Sequence, residues 1–145
     1  MKATDLMVGD QVTLFEKYPA KVECIGNTDV YLMDDDGVHW RVPYSFIKPV
    51  PITPDNLLKN GFRNGERNEV MDQYIFVDNL EQSPQTVVSY SFYKRPIQGA
   101  KSFLDCRTKS KDADAQDDAQ KINILYVHEL QHLLRVVGIE KEIVI

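Results

Sequence analysis

Apolar and polar positions alternate in short runs over the first fifty residues, and turn residues break the runs apart. Gln11 to Phe15, Ala20 to Ile25, Val30 to Met33, Val38 to Val42 and Phe46 to Val50 have the length and the β-branched or aromatic content of strands. Between them stand Gly26-Asn27, the acidic tip Asp34-Asp35-Asp36-Gly37 and Pro43, while Val8-Gly9-Asp10 turns the chain into the first strand. Five strands in so short a stretch predict a small SH3-like β-barrel over residues 1–52.

A change of period follows. Thr53 is placed to cap a helix, Pro54 suits its first position, Asp55 suits the positive end of its dipole, and Gly61 suits its stop. This predicts a capped linker helix within residues 53–62, with Ile52 and Phe62 both positioned to pack on Leu57. After a polar stretch, Asn64 to Asn68, strand patterns return at Gln73 to Val77, Thr86 to Tyr93 and Ser102 to Arg107. In the middle run Val88, Tyr90 and Phe92 share one face while Ser89, Ser91 and Tyr93 share the other, as in a sheet covered on one side. The predicted cover is a helix from about Ile124 to Val137, stopped by Gly138, with Ile139 to Ile145 returning as an edge strand. Lys109 to Gln120 lacks any apolar period and reads as a solvated loop. The predicted fold class is therefore α+β: a barrel over 1–52, a linker helix over 53–62, and an antiparallel sheet packed on one C-terminal helix over 63–145.

Composition narrows the setting. With 145 residues, 43% of them hydrophobic, the chain can bury one ordinary core or two small ones. No apolar stretch approaches a membrane span, and Met1-Lys2-Ala3-Thr4-Asp5 lacks the apolar core of a signal peptide, so the expectation is a cytoplasmic protein without a membrane segment. Cys24 and Cys106 both sit in strand-like runs and read as reduced, packed thiols. The formal net charge is −5, and the acid excess is spread along the chain: eight Asp/Glu against five Lys/Arg in residues 1–53, fourteen against twelve in 54–145. Lacking a clustered basic stripe, the chain is a poor candidate for binding nucleic acid.

The strongest chemical motif is His128-Glu129-Leu130-Gln131-His132, the H-E-x-x-H pattern that places two imidazoles one helical turn apart to hold zinc, with the Glu as base toward bound water. Three points weigh against it. At about 100° per residue, Tyr126, Val127, Leu130, Leu133, Leu134 and Val137 form the buried stripe, leaving His128 and His132 beside Arg135 and turned to solvent. A catalytic zinc also needs a third protein ligand, and the extended pattern fails because Arg135 and Gly138 stand where Gly and His would be required. His39, in the predicted barrel, is the remaining histidine, so a site of His39, His128 and His132 with Glu129 as base would need the two halves to dock in one specific way.

The third point is a resemblance. Tyr126-Val127-His128-Glu129-Leu130-Gln131, together with Asp5-Leu6-Met7-Val8-Gly9-Asp10 and Pro49-Val50-Pro51-Ile52-Thr53-Pro54, resembles a family of small proteins from Bacteroides-type bacteria and their phages or prophages. In that family the helix string is usually followed by Asn, which makes His132 a departure and the metal motif a local coincidence. The resemblance implies a place among mobile genetic elements and supplies no activity.

Two weaker signals remain. Asp112-Ala113-Asp114-Ala115-Gln116 opens like a calcium loop, but Asp117 and Asn123 stand where Gly and Glu are needed. Tyr31, Trp40 and Tyr44 could form an aromatic binding face on the barrel. The resulting expectation is a non-enzymatic binding or accessory protein for a protein or peptide partner, using no cofactor, with Tyr31, Trp40, Tyr44, Gln131, His132 and Arg135 as candidate contacts. The competing expectation is a zinc-dependent hydrolase, and single-stranded nucleic-acid binding by the barrel is a third.

Overall fold

The alternation in the first fifty residues becomes one antiparallel sheet. Its strands are β1 (Gln11–Leu14), β2 (Tyr18–Ile25), β3 (Asp29–Asp34), β4 (His39–Pro43) and β5 (Ile47–Pro49), in the order β4-β3-β2-β1-β5. The computed structural model describes residues 1–78, 85–97, 100–109 and 120–145. Chain contacts divide it into two units, residues 1–52 with 126–145, and residues 53–125.

In the first unit every second side chain turns inward. Val12 and Leu14, Ala20 and Val22, Val30 and Leu32, with Val42 and Ile47, form its buried apolar cluster. The sheet is open, and this corrects the expected barrel: among the described residues β4 pairs only with β3 and β5 only with β1. The chain leaves β4 through a 3-10 turn (Tyr44–Phe46) into the three-residue strand β5, which lies on the opposite edge of the sheet from β4. A bulge between Val22 and Cys24 shifts the register of β2 on β3, and Cys24 is a free, exposed thiol instead of the packed one expected. The side chain of Cys106 and the acidic stretch 112–116 lie outside the described residues.

The C-terminal helix also departs from expectation. Helix α2 (Val127–Val136) was predicted to cover the second sheet, yet it belongs to the first unit, beside β1. The cause is backbone pairing just past β5: Pro51 and Tyr126 form an antiparallel bridge, and Val127 N–H donates to the Val50 carbonyl at 2.8 Å. Those contacts fix where the returning chain enters the unit. Gly138, at φ +79°, ends the helix, and the residues after it are held as an irregular tail, not an edge strand.

The second unit begins with the helix read from its caps. In α1 (Pro54–Lys59) the Thr53 hydroxyl accepts the Asn56 N–H at 3.2 Å, and Phe62 N–H closes the end on the Leu57 carbonyl at 3.0 Å. A second antiparallel sheet follows, ordered β10-β9-β8-β7-β6, from β6 (Arg63–Arg67), β7 (Met71–Val77), β8 (Gln85–Ile97), β9 (Ala100–Lys109) and β10 (Gln120–Ile122). The alternation of β8 holds in its first half, where Val88 and Tyr90 are buried and the Tyr90 hydroxyl donates to the Ile124 carbonyl at 2.6 Å, and breaks beyond it, where Ser91 is buried and Phe92 half-buried. Among the described residues no helix is long and apolar enough to cross a membrane.

Candidate functional site: a histidine-lined cleft in the first unit

The site is organised by a buried carboxylate. Gly9 (φ +92°) and the Met7 carbonyl, which accepts Asp10 N–H at 3.1 Å, turn the chain so that Asp10 precedes β1 with its side chain wholly buried. There it accepts the Met7 N–H at 2.7 Å and the Nε2–H of His132 at 2.8 Å, and the Arg135 guanidinium lies 3.7 Å away. A Cβ at position 9 would stand 2.9 Å from Arg135 Nη2, so glycine serves both the turn and the approach of the arginine. His132 and Arg135 lie three residues apart on α2 and reach the same acceptor, as helical spacing allows.

One turn earlier on α2, His128 is also buried, at 6% exposure. Its ring stacks on Tyr126 (centroids 5.9 Å apart, 15° between planes) and meets His132 edge-on at 5.8 Å. Its Nδ1 has no hydrogen-bond partner. Burial pushes the imidazole below its ordinary pKa, against the opposing pull of the Glu129, Asp10 and Asp5 carboxylates, which favours the neutral ring. Glu129 accepts the Tyr126 N–H at 3.1 Å and so caps the helix start.

These side chains line a cleft of about 340 Å³, together with Asp5 and Thr4 from the N-terminal 3-10 turn (Ala3–Asp5) and with Pro49. Asp5 is exposed; the Lys2 N–H donated to it at 2.8 Å holds its carboxyl below the usual carboxylate range.

The predicted site residues separate. His128 and His132 were expected to face solvent; the first is buried and the second is paired with Asp10. The helical wheel assumed one covered face, whereas α2 is enclosed on a second side as well. Gln131, expected on the surface, is 3% exposed and uses its amide to accept the Ile143 N–H and to donate to the Lys141 carbonyl, which ties down the tail. His39 does not join the imidazoles: it sits on β4, 69% exposed, with Nδ1 2.8 Å from Glu23. Among the described residues no group of three or more His, Cys, Asp or Glu side chains is placed to hold a metal ion.

The aromatic trio does not form one face. Tyr31 lies opposite Arg41 and Trp40 opposite Leu32, so the two rings project from opposite sides of the β3–β4 pair. Arg41 covers the Tyr31 ring at 5.6 Å, Trp40 Nε1–H donates to Asp34 at 2.8 Å, and Tyr44 packs against the core with its hydroxyl donating to the Gly26 carbonyl at 2.5 Å.

Asp10 and Asp5, which complete the site, were missed. The signal available is the string Asp5 to Asp10, which in sequence reads as a turn into β1 and as part of the resemblance, not as a pair of carboxylates for a site. Compared with known proteins, the chain matches no family model, no curated protein and no solved structure.

Proposed function

We propose that the chain is a non-catalytic binding protein, an accessory element of a mobile genetic system, which holds a peptide or protein partner at the cleft where α2 begins. The observation that supports this reading is His128: a buried imidazole whose Nδ1 lacks a partner, lining a cleft beside exposed hydrogen-bonding groups. A buried polar atom without a partner costs about 1 to 3 kcal/mol, and such a cost persists where a bound molecule can recover it. The place in a mobile element rests on the resemblance of the Asp5 to Asp10, Pro49 to Pro54 and Tyr126 to Gln131 strings.

Binding is favoured over hydrolysis because the motif's groups are already engaged. Glu129 caps Tyr126 and the Nε2–H of His132 is held by Asp10, so the motif's base is tied to the helix start and His132 would have to meet a metal through Nδ1 alone. The adjacency of the two imidazoles is what favours the zinc alternative, and equilibrium dialysis distinguishes it: stoichiometric zinc lost on His128→Ala would establish the metal reading. For the binding reading, a photo-crosslinking residue at Thr4 should trap one partner in cells, and His128→Ala should abolish that product. The same residue at exposed Val38 should not trap it; identical products from both positions would remove the cleft as the site.

A further inference from the structure

We infer that the outer edge of β4 is a self-association surface, on which a second copy of this chain adds its own β4 as an antiparallel strand across a twofold axis at Trp40. Because the first sheet is open, β4 ends it: among the described residues it pairs only with β3. Which of its backbone groups are free follows from the ladder. Asp34 N–H donates to the Val38 carbonyl at 3.0 Å, and bonded pairs recur at every second residue of an antiparallel pair. Trp40 and Val42 therefore bond to Leu32 and Val30, while His39 and Arg41 turn their N–H and C=O groups away from β3. His39, Trp40 and Arg41 are all exposed.

An edge of this kind is ordinarily blunted by charge. Here the two guarding side chains are drawn back over the sheet: His39 Nδ1 lies 2.8 Å from Glu23 on β2, and Arg41 donates to Asp29 on β3 at 2.9 Å while covering the Tyr31 ring. The edge is left bare between two stops. Pro43 has no N–H to offer, and the Gly37 N–H is already given to the Asp34 carbonyl at 3.0 Å.

A second β4 fits those limits. About an axis at Trp40, His39 of each copy stands opposite Arg41 of the other, so the free donors and acceptors of both strands are met. Pro43 then falls opposite Gly37, and pairing ends where neither has a donor left. The charges are complementary in the same register: each Arg41, its side chain 65% exposed, approaches the His39–Glu23 pair of the other copy, and β4 carries no acid of its own. On the other face the two Trp40 rings, each 38% exposed, come together as an aromatic pair at the non-bonded position, where cross-strand side chains are closest. A foreign strand would supply the backbone bonds without the matching stops or the second tryptophan.

Sedimentation equilibrium of the full chain over a concentration series tests this, with amide spectra and the emission of Trp40, the chain's one tryptophan, read on the same samples. Wild type should move from one chain toward two as concentration rises and stop there, because twofold pairing closes. The Trp40 emission should move to shorter wavelength in step, and concentration-dependent amide shifts should centre on β4. Arg41→Pro removes an N–H turned away from β3 and should weaken association about thirtyfold, the net worth of two hydrogen bonds, one per copy. Arg41→Ala keeps that N–H and should weaken it only about threefold. Trp40→Lys sets two like charges face to face and leaves the backbone groups in place, so it should yield single chains whether or not the proline variant folds. A wild-type chain that stays single at every concentration would overturn the inference, as would dimers that persist in Trp40→Lys or amide shifts that centre elsewhere. If the single chain instead shifts its β4 amides with a blocked Thr-Val-Thr-Val-Thr peptide, the edge takes a foreign strand and self-pairing is wrong.

Discussion

A carboxylate without solvent contact has to be met by donors, and Asp10 is met by the Met7 N–H and His132, with Arg135 beside it. Truncation to alanine strands all three, so Asp10→Ala should cost about 3 to 5 kcal/mol, the range for breaking a buried charged pair. Asp10→Asn, which keeps an oxygen for Met7, should cost less, and urea denaturation orders the two. His128 makes a second prediction, in pH. Its folded-state pKa lies below the ordinary 6.5, so under that value the unfolded chain binds a proton that the folded chain refuses. The associated stability is fully present above 6.5 and is lost as pH falls from there toward the folded pKa. Wild type should therefore lose more stability between pH 7.5 and 5.5 than His128→Gln; equal losses would show that the ring charges without penalty. Neither residue's role was legible in sequence. Hydrophobic periodicity ranks apolar side chains, and it assigned both imidazoles to solvent because nothing in the local pattern registers an acceptor 122 positions away.

Elements were far more legible, where their signals were local. The strands of the first sheet and the caps of α1 lie close to where alternation, Thr53 and Gly61 placed them. Two edge strands were missed. Arg63–Arg67 offers a single half-buried position and no apolar alternation, and Gln120–Ile122 is three residues long; both are defined by backbone pairing to a neighbour. The β1–β2 hairpin shows the reverse, an element formed against its own turn chemistry. Phe15 and Glu16 both adopt left-handed backbone, at φ 53° and 59°, in the three-residue connection Phe15-Glu16-Lys17, at positions that ordinarily favour Gly or Asn. Phe15 is kept there by its N–H bond to the Phe46 carbonyl and by the edge-on contact of the two rings at 5.4 Å. Glu16→Gly relieves one strained residue at some cost in chain entropy, so thermal unfolding should report a net gain of about 0.5 to 1 kcal/mol. At the other end of the unit, Gln131→Ala removes both amide bonds to the tail. It should cost about 1 to 3 kcal/mol for the stranded groups, and hydrogen exchange at the buried Ile143 amide should accelerate.

For the whole molecule, sequence reading failed at one decisive point, the allegiance of α2. A helix with one apolar stripe can cover either sheet, and the choice was made by the Pro51–Tyr126 bridge and the Val127 to Val50 bond, long-range pairings that leave no periodic trace. The same contacts hold together the points where residues 53–125 leave and rejoin the first unit. Replacing that segment with a short Gly-containing turn from Ile52 to Tyr126 should therefore yield a cooperatively unfolding protein that keeps the Asp10–His132 pair; a chain without dispersed amide resonances would show that the first unit needs its insert.

An inserted unit also imposes an order of events during synthesis. Residues 1–52 leave the ribosome long before the segment that completes their fold, and residues 53–125 are whole before Tyr126 is added. The first sheet must wait, with Asp10 still lacking His132, until Tyr126–Ile145 arrives. A nascent chain arrested before Tyr126 would present the second unit tethered to a first one that lacks α2, and its histidine-lined cleft would not yet exist.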